Sequence, residues 1–192
     1  LVFPTCTMAN VTALMLNAAP GSSLVTQQSA HVLVSEAGAG AALAGLMMTA
    51  LEEPGPLPPV EAWQQVFRRR GDTQGPPVAL AVLENTHTRA GGVPLPVDYT
   101  RSVVDSARAH GVAVHLDGAR LFDAAQALGT TPSVLAQGVD TVSISFNKGF
   151  GAPIAAALAG SAAAIARALV LRQRLGGGLR PIGPAAAATL AG

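Results

Sequence analysis

The hydrophobic pattern of this chain alternates between short apolar runs and longer amphipathic stretches. Apolar or alternating runs of this kind predict strands at residues 1–3, 23–26, 78–83, 112–116, 141–146 and 154–159, the last one doubling back after a tight turn. Apolar residues spaced by three and four predict helices at residues 8–18, 60–70, 98–110, 122–128 and 161–175, with an alanine-rich helix after residue 180. Strands that alternate with helices predict a doubly wound α/β sheet.

Polar residues stand at the ends of three successive predicted strands. These residues are His87, Asp117 and Lys148. Because the carboxyl ends of parallel strands meet at one edge of a sheet, we expect them to lie near one another. Lys148 is the only lysine in the chain, and lysine, unlike arginine, can form a Schiff base. The alternative interpretation of Lys148 is a surface side chain on a glycine-rich loop.

A second feature of the same edge is the turn at residues 4–7, between the first strand and the first helix. The free N–H groups and the dipole of a helix amino terminus favour a bound phosphate. The alternative is that Thr5 or Thr7 only caps the helix, and the two interpretations are compatible.

The composition restricts the class of protein and its partners. Apolar residues make up 49% and charged residues 12%, which favours a buried parallel sheet or a surface covered by partner subunits. The net charge is +1, and the basic residues are dispersed apart from Arg68–Arg70, which we interpret as a solvated helix end. We therefore expect no nucleic-acid partner.

Cysteine usage and the apolar segments add further expectations. A single cysteine, Cys6, excludes an internal disulfide and fits a reducing, cytoplasmic compartment. No Cys/His cluster has zinc spacing, so no metal site is expected. Residues 154–170 are mostly alanine and include Arg167, which predicts a buried strand and helix rather than a membrane span. The chain begins within a predicted strand, and we expect it to be part of a longer protein.

An amine, an acid and a phosphate site at one sheet edge match the needs of pyridoxal phosphate. Lys148 would form the Schiff base, and Asp117 would keep the pyridine nitrogen protonated. The helix after Cys6 and Thr7 would take the phosphate. A histidine would lie over the face of the ring.

Four motifs in register carry a family resemblance. They are Leu83–His87 with Arg89–Gly92, His115–Arg120, Lys148–Gly149 with Gly151–Pro153, and Gly176–Arg180. The chain resembles the low-specificity L-threonine aldolases, within the aromatic amino acid beta-eliminating lyase/threonine aldolase family of fold type I pyridoxal enzymes. The similarity covers nearly all residues and is weakest from about residue 47 to 77.

The resemblance implies a fold and a role for each matching residue. Residues 1–192 would form the large domain of a fold type I enzyme, with an amino-terminal segment and a carboxyl-terminal small domain outside this sequence, and with a homotetrameric assembly by analogy. Catalytic roles fall to Lys148, His31 and His87. Cofactor contacts fall to Cys6, Thr7, His31 (stacked on the ring), Asp117, Arg120, Lys148 and Arg180, and substrate contacts to Arg120 and His87.

The implied reaction is cleavage of a β-hydroxy-α-amino acid, such as threonine, to glycine and an aldehyde, with His31 or His87 as the base. Two positions depart from the family. Cys6 replaces a glycine, at a cost on the order of 1–3 kcal/mol if the backbone there is strained. Asn147 replaces a small hydroxyl residue.

Three other functions remain open from the residues alone. One is a different pyridoxal lyase or a racemase on the same fold, which would share Lys148 and Asp117. Another is a non-catalytic remnant that binds other subunits. A nicotinamide oxidoreductase is the least favoured, because Leu43 stands where a dinucleotide fingerprint has glycine.

Overall fold

A computed structural model describes residues 1–69 and 73–191 of the chain. Its described residues form a seven-stranded sheet with the strand order β1-β7-β6-β5-β4-β2-β3. The strands are β1 (Val2–Phe3), β2 (Ser23–Gln27), β3 (Met47–Leu51), β4 (Val78–Glu84), β5 (Ala113–Asp117), β6 (Thr141–Ser145) and β7 (Ala156–Gly160). The predicted α/β class is confirmed.

Helices connect most of these strands. They are α1 (Cys6–Asn17), α2 (His31–Val34), α3 (Ala39–Ala42), α4 (Val60–Phe67), α5 (Val97–Ala109), α6 (Leu121–Ala127), α7 (Pro132–Leu135), α8 (Ala162–Arg174) and α9 (Gly183–Ala191), with a 3₁₀ turn at Thr88–Ala90. Side-chain caps start several of them: the hydroxyls of Thr5 and Ser161 accept from the N–H groups of Met8 and Ala164. Within the described residues, no helix has both the length and the apolar character needed to cross a membrane.

The strand directions bring the predicted site to one edge. The pairs β2–β3, β2–β4, β4–β5 and β5–β6 are parallel, whereas β7 runs antiparallel to both β6 and β1. Strand β1 is therefore parallel to β4, β5 and β6, and the carboxyl ends of all four point the same way. This arrangement also confirms that the strand after the Lys148 turn doubles back.

Apolar layers cover both faces of the sheet. Along β4, Leu80 and Val82 belong to one apolar cluster, and Ala81 and Leu83 belong to another. Successive strand residues point to opposite faces, so these clusters lie on opposite sides. Helix α1 packs in the first cluster, whereas α4, α5 and α6 pack in the second. The sheet is thus covered on both faces, as its apolar strands predicted.

The structure also differs from the predicted elements. Strand β3 was not predicted, and neither were the short helices α3 and α7. The helix expected at residues 60–70 ends at Phe67, and Arg68 follows as its C-cap. Both Arg68 and Arg69 are exposed, which agrees with a solvated helix end, while Arg70 lies outside the described residues.

Candidate active site

A cavity of about 460 Å³ opens between the amino terminus of α1 and the turn that follows β6. Lys148 lines it from the turn, and His31 lines it from α2. Cys6 and Thr7 line it from the first turn of α1. The predicted amine and the predicted phosphate turn thus share one cavity.

The first turn of α1 presents its backbone to this cavity. The Thr5 hydroxyl accepts a hydrogen bond from the N–H of Met8 at 3.1 Å, whereas the first N–H groups of a helix have no intrahelical partner. Cys6 is the first helical residue, and it is not among the described non-glycine residues with positive φ. The strain that we expected from replacing glycine at this position is therefore absent.

The thiol of Cys6 is a poor nucleophile in this environment. Burial and, to a smaller extent, the negative charge of Asp117 raise its pKa to about 12. The thiol of Cys6 therefore stays neutral near physiological pH.

Asp117 lies behind the cavity, buried at the end of β5. The side-chain amide of Asn10 donates to Oδ2 of Asp117 at 2.8 Å and to Oε1 of Glu36, also at 2.8 Å. The amide oxygen of Asn10 accepts from the Ser143 hydroxyl at 2.6 Å and lies 3.2 Å from Nε2 of His115. Asn10 thereby joins α1, β5, β6 and the segment after α2 in one buried network.

His115 completes this network as a neutral donor. It is fully buried, and burial lowers its pKa to about 4. Its Nδ1 lies 2.9 Å from the hydroxyl of Thr141. Since the ring is neutral at physiological pH, it orients Asn10 without adding a positive charge.

Three acidic side chains therefore lie close together behind the cavity. Burial, together with the nearby negative charges of Glu84 and Glu36, raises the pKa of Asp117 to about 6. Glu84 pairs with Asp117 across the β4–β5 ladder. The Oε2 atom of Glu36 is buried without a hydrogen-bond partner among the described residues. This pocket of negative charge is suited to a cationic group of a ligand.

His31 is held by Glu36. Its Nδ1 lies 3.1 Å from Oε1 of Glu36, and its side chain is 34% exposed. The hydrogen bond to Glu36 raises the pKa of His31, although partial burial opposes the shift. With Nδ1 bound to the carboxylate, Nε2 is the ring nitrogen left to exchange a proton with the cavity.

His31, Glu36 and Asp117 each place one potential metal-binding atom within 4.8 Å of the others. The amide of Asn10 donates a hydrogen bond to Glu36 and another to Asp117. Carboxylate oxygens that a metal ion would bind therefore already accept hydrogen bonds from the protein.

His87 and Arg120 lie near the cavity without lining it. His87 is buried, and its ring contacts Glu84 and Glu53. Arg120 is half-buried and donates to the Thr88 hydroxyl at 2.6 Å. Because Thr88 directly follows His87 in the chain, Arg120 contacts the residue next to His87. The two predicted substrate contacts, His87 and Arg120, therefore lie close together.

Arg180 is exposed and does not line the cavity. Asn147 lines it beside Lys148, and the Ser145 hydroxyl donates to its Oδ1. The expected cofactor contact of Arg180 therefore stays a prediction.

Sequence reasoning missed four residues of this network: Asn10, Glu36, Glu53 and Glu84. Glu84 carried a usable signal, because it ends a buried strand beside the strand of Asp117. Asn10 and Glu36 lie in a helix and in a turn, and their contacts with Asp117 or with each other span many residues. No local pattern predicts such contacts.

Comparison with known proteins places the chain in a family. The sequence profile described as beta-eliminating lyase matches residues 1–192. The chain belongs to the beta-eliminating lyase family. Its predicted family relationship is therefore confirmed.

Relatives within this family are similar to the chain over nearly all of its residues. Low-specificity L-threonine aldolase 1 of Arabidopsis thaliana is 38% identical over 194 residues, covering 99% of this chain and 54% of that protein. The probable low-specificity L-threonine aldolase 2 of the same plant is 36% identical over 190 residues, covering 97% and 54%. The chain thus spans about half the length of the curated relatives it matches.

A solved structure shares the fold of this chain. A threonine aldolase of Leishmania major superimposes with a TM-score of 0.82 at 22% identity, covering 92% of this chain and 51% of the other. At this identity the likeness concerns the fold alone.

Proposed function

We propose that this chain is the core of a pyridoxal-phosphate-dependent aldolase that cleaves threonine, allo-threonine or a related β-hydroxy-α-amino acid to glycine and an aldehyde. The observation that carries the proposal is the position of Lys148, the only lysine, on a cavity that also contains the first turn of α1. Its relatives named as threonine aldolases support the choice of reaction.

The residues around the cavity fit pyridoxal phosphate. The first turn of α1 suits its phosphate, and Lys148 suits its aldehyde. The buried carboxyl of Asp117, with its pKa raised to about 6, and the unpartnered oxygen of Glu36 suit a protonated pyridine nitrogen. When bound, the cofactor supplies a ring that accepts the electron pair released at Cα.

Asp117, Glu36 and Glu84 would favour a protonated ring nitrogen in a bound cofactor. A cation near Asp117 favours its ionised form and lowers its pKa from the raised value. Glu36 and Glu84 add negative potential to the same place. A cationic group bound there would therefore offset part of the repulsion among the three carboxylates.

His31 is the base that we propose for the β-hydroxyl proton. The hydrogen bond from its Nδ1 to Glu36 orients the ring and stabilises the imidazolium that forms. The same residue has the exposure needed to reach a substrate in the cavity. Arg120 is our candidate for the substrate carboxylate, because arginine binds carboxylates with two parallel hydrogen bonds.

The remaining expectations concern the assembly and the location of the protein. We propose a homotetramer, with Arg180 serving a cofactor site, and a cytoplasmic location. Another pyridoxal lyase or racemase would use the same lysine and acid, and a non-catalytic remnant would bind no cofactor. The substrate spectrum separates the first alternative, and cofactor binding separates the second.

The test is a cleavage assay with L-threonine and L-allo-threonine in which acetaldehyde and glycine are both measured. We expect equal amounts of the two products from the wild-type chain. His31→Asn is expected to lower the rate by about 100-fold or more, which is typical for a lost general base. His110→Asn, at an exposed histidine, is the matched control and is expected to leave the rate unchanged. Loss of threonine without acetaldehyde, or racemisation of alanine instead, would contradict the aldolase proposal.

A further inference from the structure

The ring of His87 lies between two carboxylates. Its Nδ1 is 3.3 Å from Oε2 of Glu84, and its Nε2 contacts Oε1 of Glu53. A carboxylate accepts hydrogen bonds, and only a doubly protonated imidazole can donate from both nitrogens. The geometry therefore favours an imidazolium at His87, fully buried and paired on both sides.

Glu53 is itself fixed in this position. Its Oε2 accepts from the N–H and from the hydroxyl of Ser29, each at 2.8 Å. The Ser29 hydroxyl also lies 3.1 Å from Nε2 of His87. Glu53 follows strand β3, at the far edge of the sheet from Lys148, so it brings a distant segment to the site.

Glu84 connects His87 to His31. Its Oε2 accepts from the backbone N–H of His31 at 2.7 Å, and its Oε1 accepts from the N–H of Thr88 at 3.1 Å. Burial favours the neutral acid, but the hydrogen bonds from His87, His31 and Thr88 together lower the pKa of Glu84. The start of α2 is thus held by an ionised carboxylate that the imidazolium also contacts.

We propose that Glu53 is a positioning residue: it holds His87 as an imidazolium, and the imidazolium fixes Glu84 and, through it, the start of α2 that carries His31. The link to catalysis rests on the proposed function, because it is there that His31 acts as the base. The charge state of His87 and its dependence on Glu53 do not rest on it.

Burial and the charged groups that face His87 have opposing effects on its pKa. Burial lowers the pKa of His87, but the hydrogen bonds to Glu84 and Glu53 outweigh burial and raise it. Glu84 comes from β4 and Glu53 from the segment after β3, while the segment before α2 contributes only the Ser29 hydroxyl. The pairing is complete below the unfolded pKa of histidine, and it is lost as the pH rises through the raised folded value.

In this arrangement His87 has a role that differs from that of a base. A group that stays protonated between two carboxylates cannot take a proton from the substrate. His31 is then the base, and His87 supports it from behind.

The direct test is a nitrogen-15 NMR titration of the histidine rings in the whole chain, with and without pyridoxal phosphate. The chain has only four histidines, so each ring is resolvable. We expect His87 to carry protons on both nitrogens near neutral pH. Glu53→Gln should lower its apparent pKa by ~1 unit or more, because one opposite charge is removed. Glu52→Gln, at the exposed neighbouring glutamate, is the matched control and should leave the titration unchanged.

Ser29→Ala is a milder second variant, in case Glu53→Gln prevents folding. It removes one hydroxyl from Glu53 and His87 and should lower the apparent pKa of His87 by a smaller amount. A neutral His87 in the wild type near neutral pH would overturn the proposal. The same titration curve in Glu53→Gln and Glu52→Gln would also overturn it.

A cleavage assay on the same variants separates this proposal from the proposed function. We expect Glu53→Gln to lower kcat by about 10-fold with KM nearly unchanged, because a base is misplaced while the substrate contacts remain. A charged His87 in a wild-type chain without cleavage would sink the proposed function and leave the charge assignment standing. Cleavage by a wild-type chain in which His87 is neutral would support the proposed function and overturn the charge assignment.

Discussion

Replacing Asp117 with asparagine should change stability in opposite directions at low and high pH. The folded pKa of Asp117 is about 6, against an ordinary value of 3.8, because burial and two neighbouring carboxylates disfavour its charge. Between these values the folded protein binds more protons than the unfolded chain, so this carboxyl lowers stability as the pH rises from about 4 to about 7. The difference of about two pH units corresponds to roughly 3 kcal/mol at alkaline pH.

The substitution also has a cost that does not depend on pH. Asp117 accepts from the side-chain amide of Asn10 at 2.8 Å and from the N–H of Ala119 at 3.3 Å. An asparagine offers one acceptor oxygen and one donor group, so it loses about 1 kcal/mol of this hydrogen bonding. Asp117→Asn should therefore stabilise the cofactor-free protein by about 2 kcal/mol near pH 8 and destabilise it by about 1 kcal/mol near pH 3, where both states of the wild type hold the proton.

Urea unfolding of the cofactor-free protein at both pH values measures this effect. Asp105→Asn, at an exposed aspartate, is the control and should show the same small change at both. With pyridoxal phosphate present, the wild type should gain stability and Asp117→Asn should gain much less. Equal destabilisation by Asp117→Asn at both pH values would refute the reasoning, because it would show that the buried carboxyl carries no cost when ionised.

Three further predictions concern the surroundings of the site. Ala155 lines the cavity at a φ of 109°, a backbone conformation that glycine adopts more readily than alanine. Ala155→Gly should therefore raise the free energy of unfolding by about 1 kcal/mol, whereas Ala156→Gly in β7 should lower it by about 1 kcal/mol. A lower free energy of unfolding in both variants would contradict strain at Ala155. A Cβ on Gly177 would overlap Sδ of Met8, so Gly177→Ala should lower the free energy of urea unfolding by about 1–3 kcal/mol. Adding Met8→Ala should recover part of this loss, and strictly additive losses would argue against the contact. Asn10→Ala should lower the free energy of unfolding by about 3 kcal/mol or more, because it leaves two buried carboxylates without their shared hydrogen-bond donor. A thermal unfolding temperature that barely changes would show that water replaces the amide.

The apolar pattern predicted the central part of the sheet because those strands are buried on both faces. Strand β4 is apolar up to Glu84, and β5 is apolar apart from His115 and Asp117; both were placed within one residue of their observed ends. Strand β3 was missed because it is an edge strand with mostly exposed or half-buried residues. Tertiary pairing with β2 forms it, and the local sequence gives no periodic signal.

For the candidate site, sequence reasoning found the groups that stand at strand ends and missed those that surround them. Lys148 and Asp117 carry signals of position and of residue type. Glu36 and Glu53 reach the site from segments outside the helices and strands, and only the folded chain brings them to His31 and His87. The charge states of the two histidines depend on these carboxylates, so they could not be predicted from the strand ends alone.

The most direct test of the central claim is the absorbance spectrum of the purified chain with added pyridoxal phosphate, recorded beside Lys148→Ala. Because the chain has no other lysine, borohydride reduction followed by peptide mass spectrometry locates the bound cofactor without ambiguity. We expect the yellow band of a lysine-bound cofactor in the wild type, a reduced adduct on Lys148, and neither in the variant. Identical spectra from the two proteins, or an adduct only on the chain's amino terminus, would contradict the central claim.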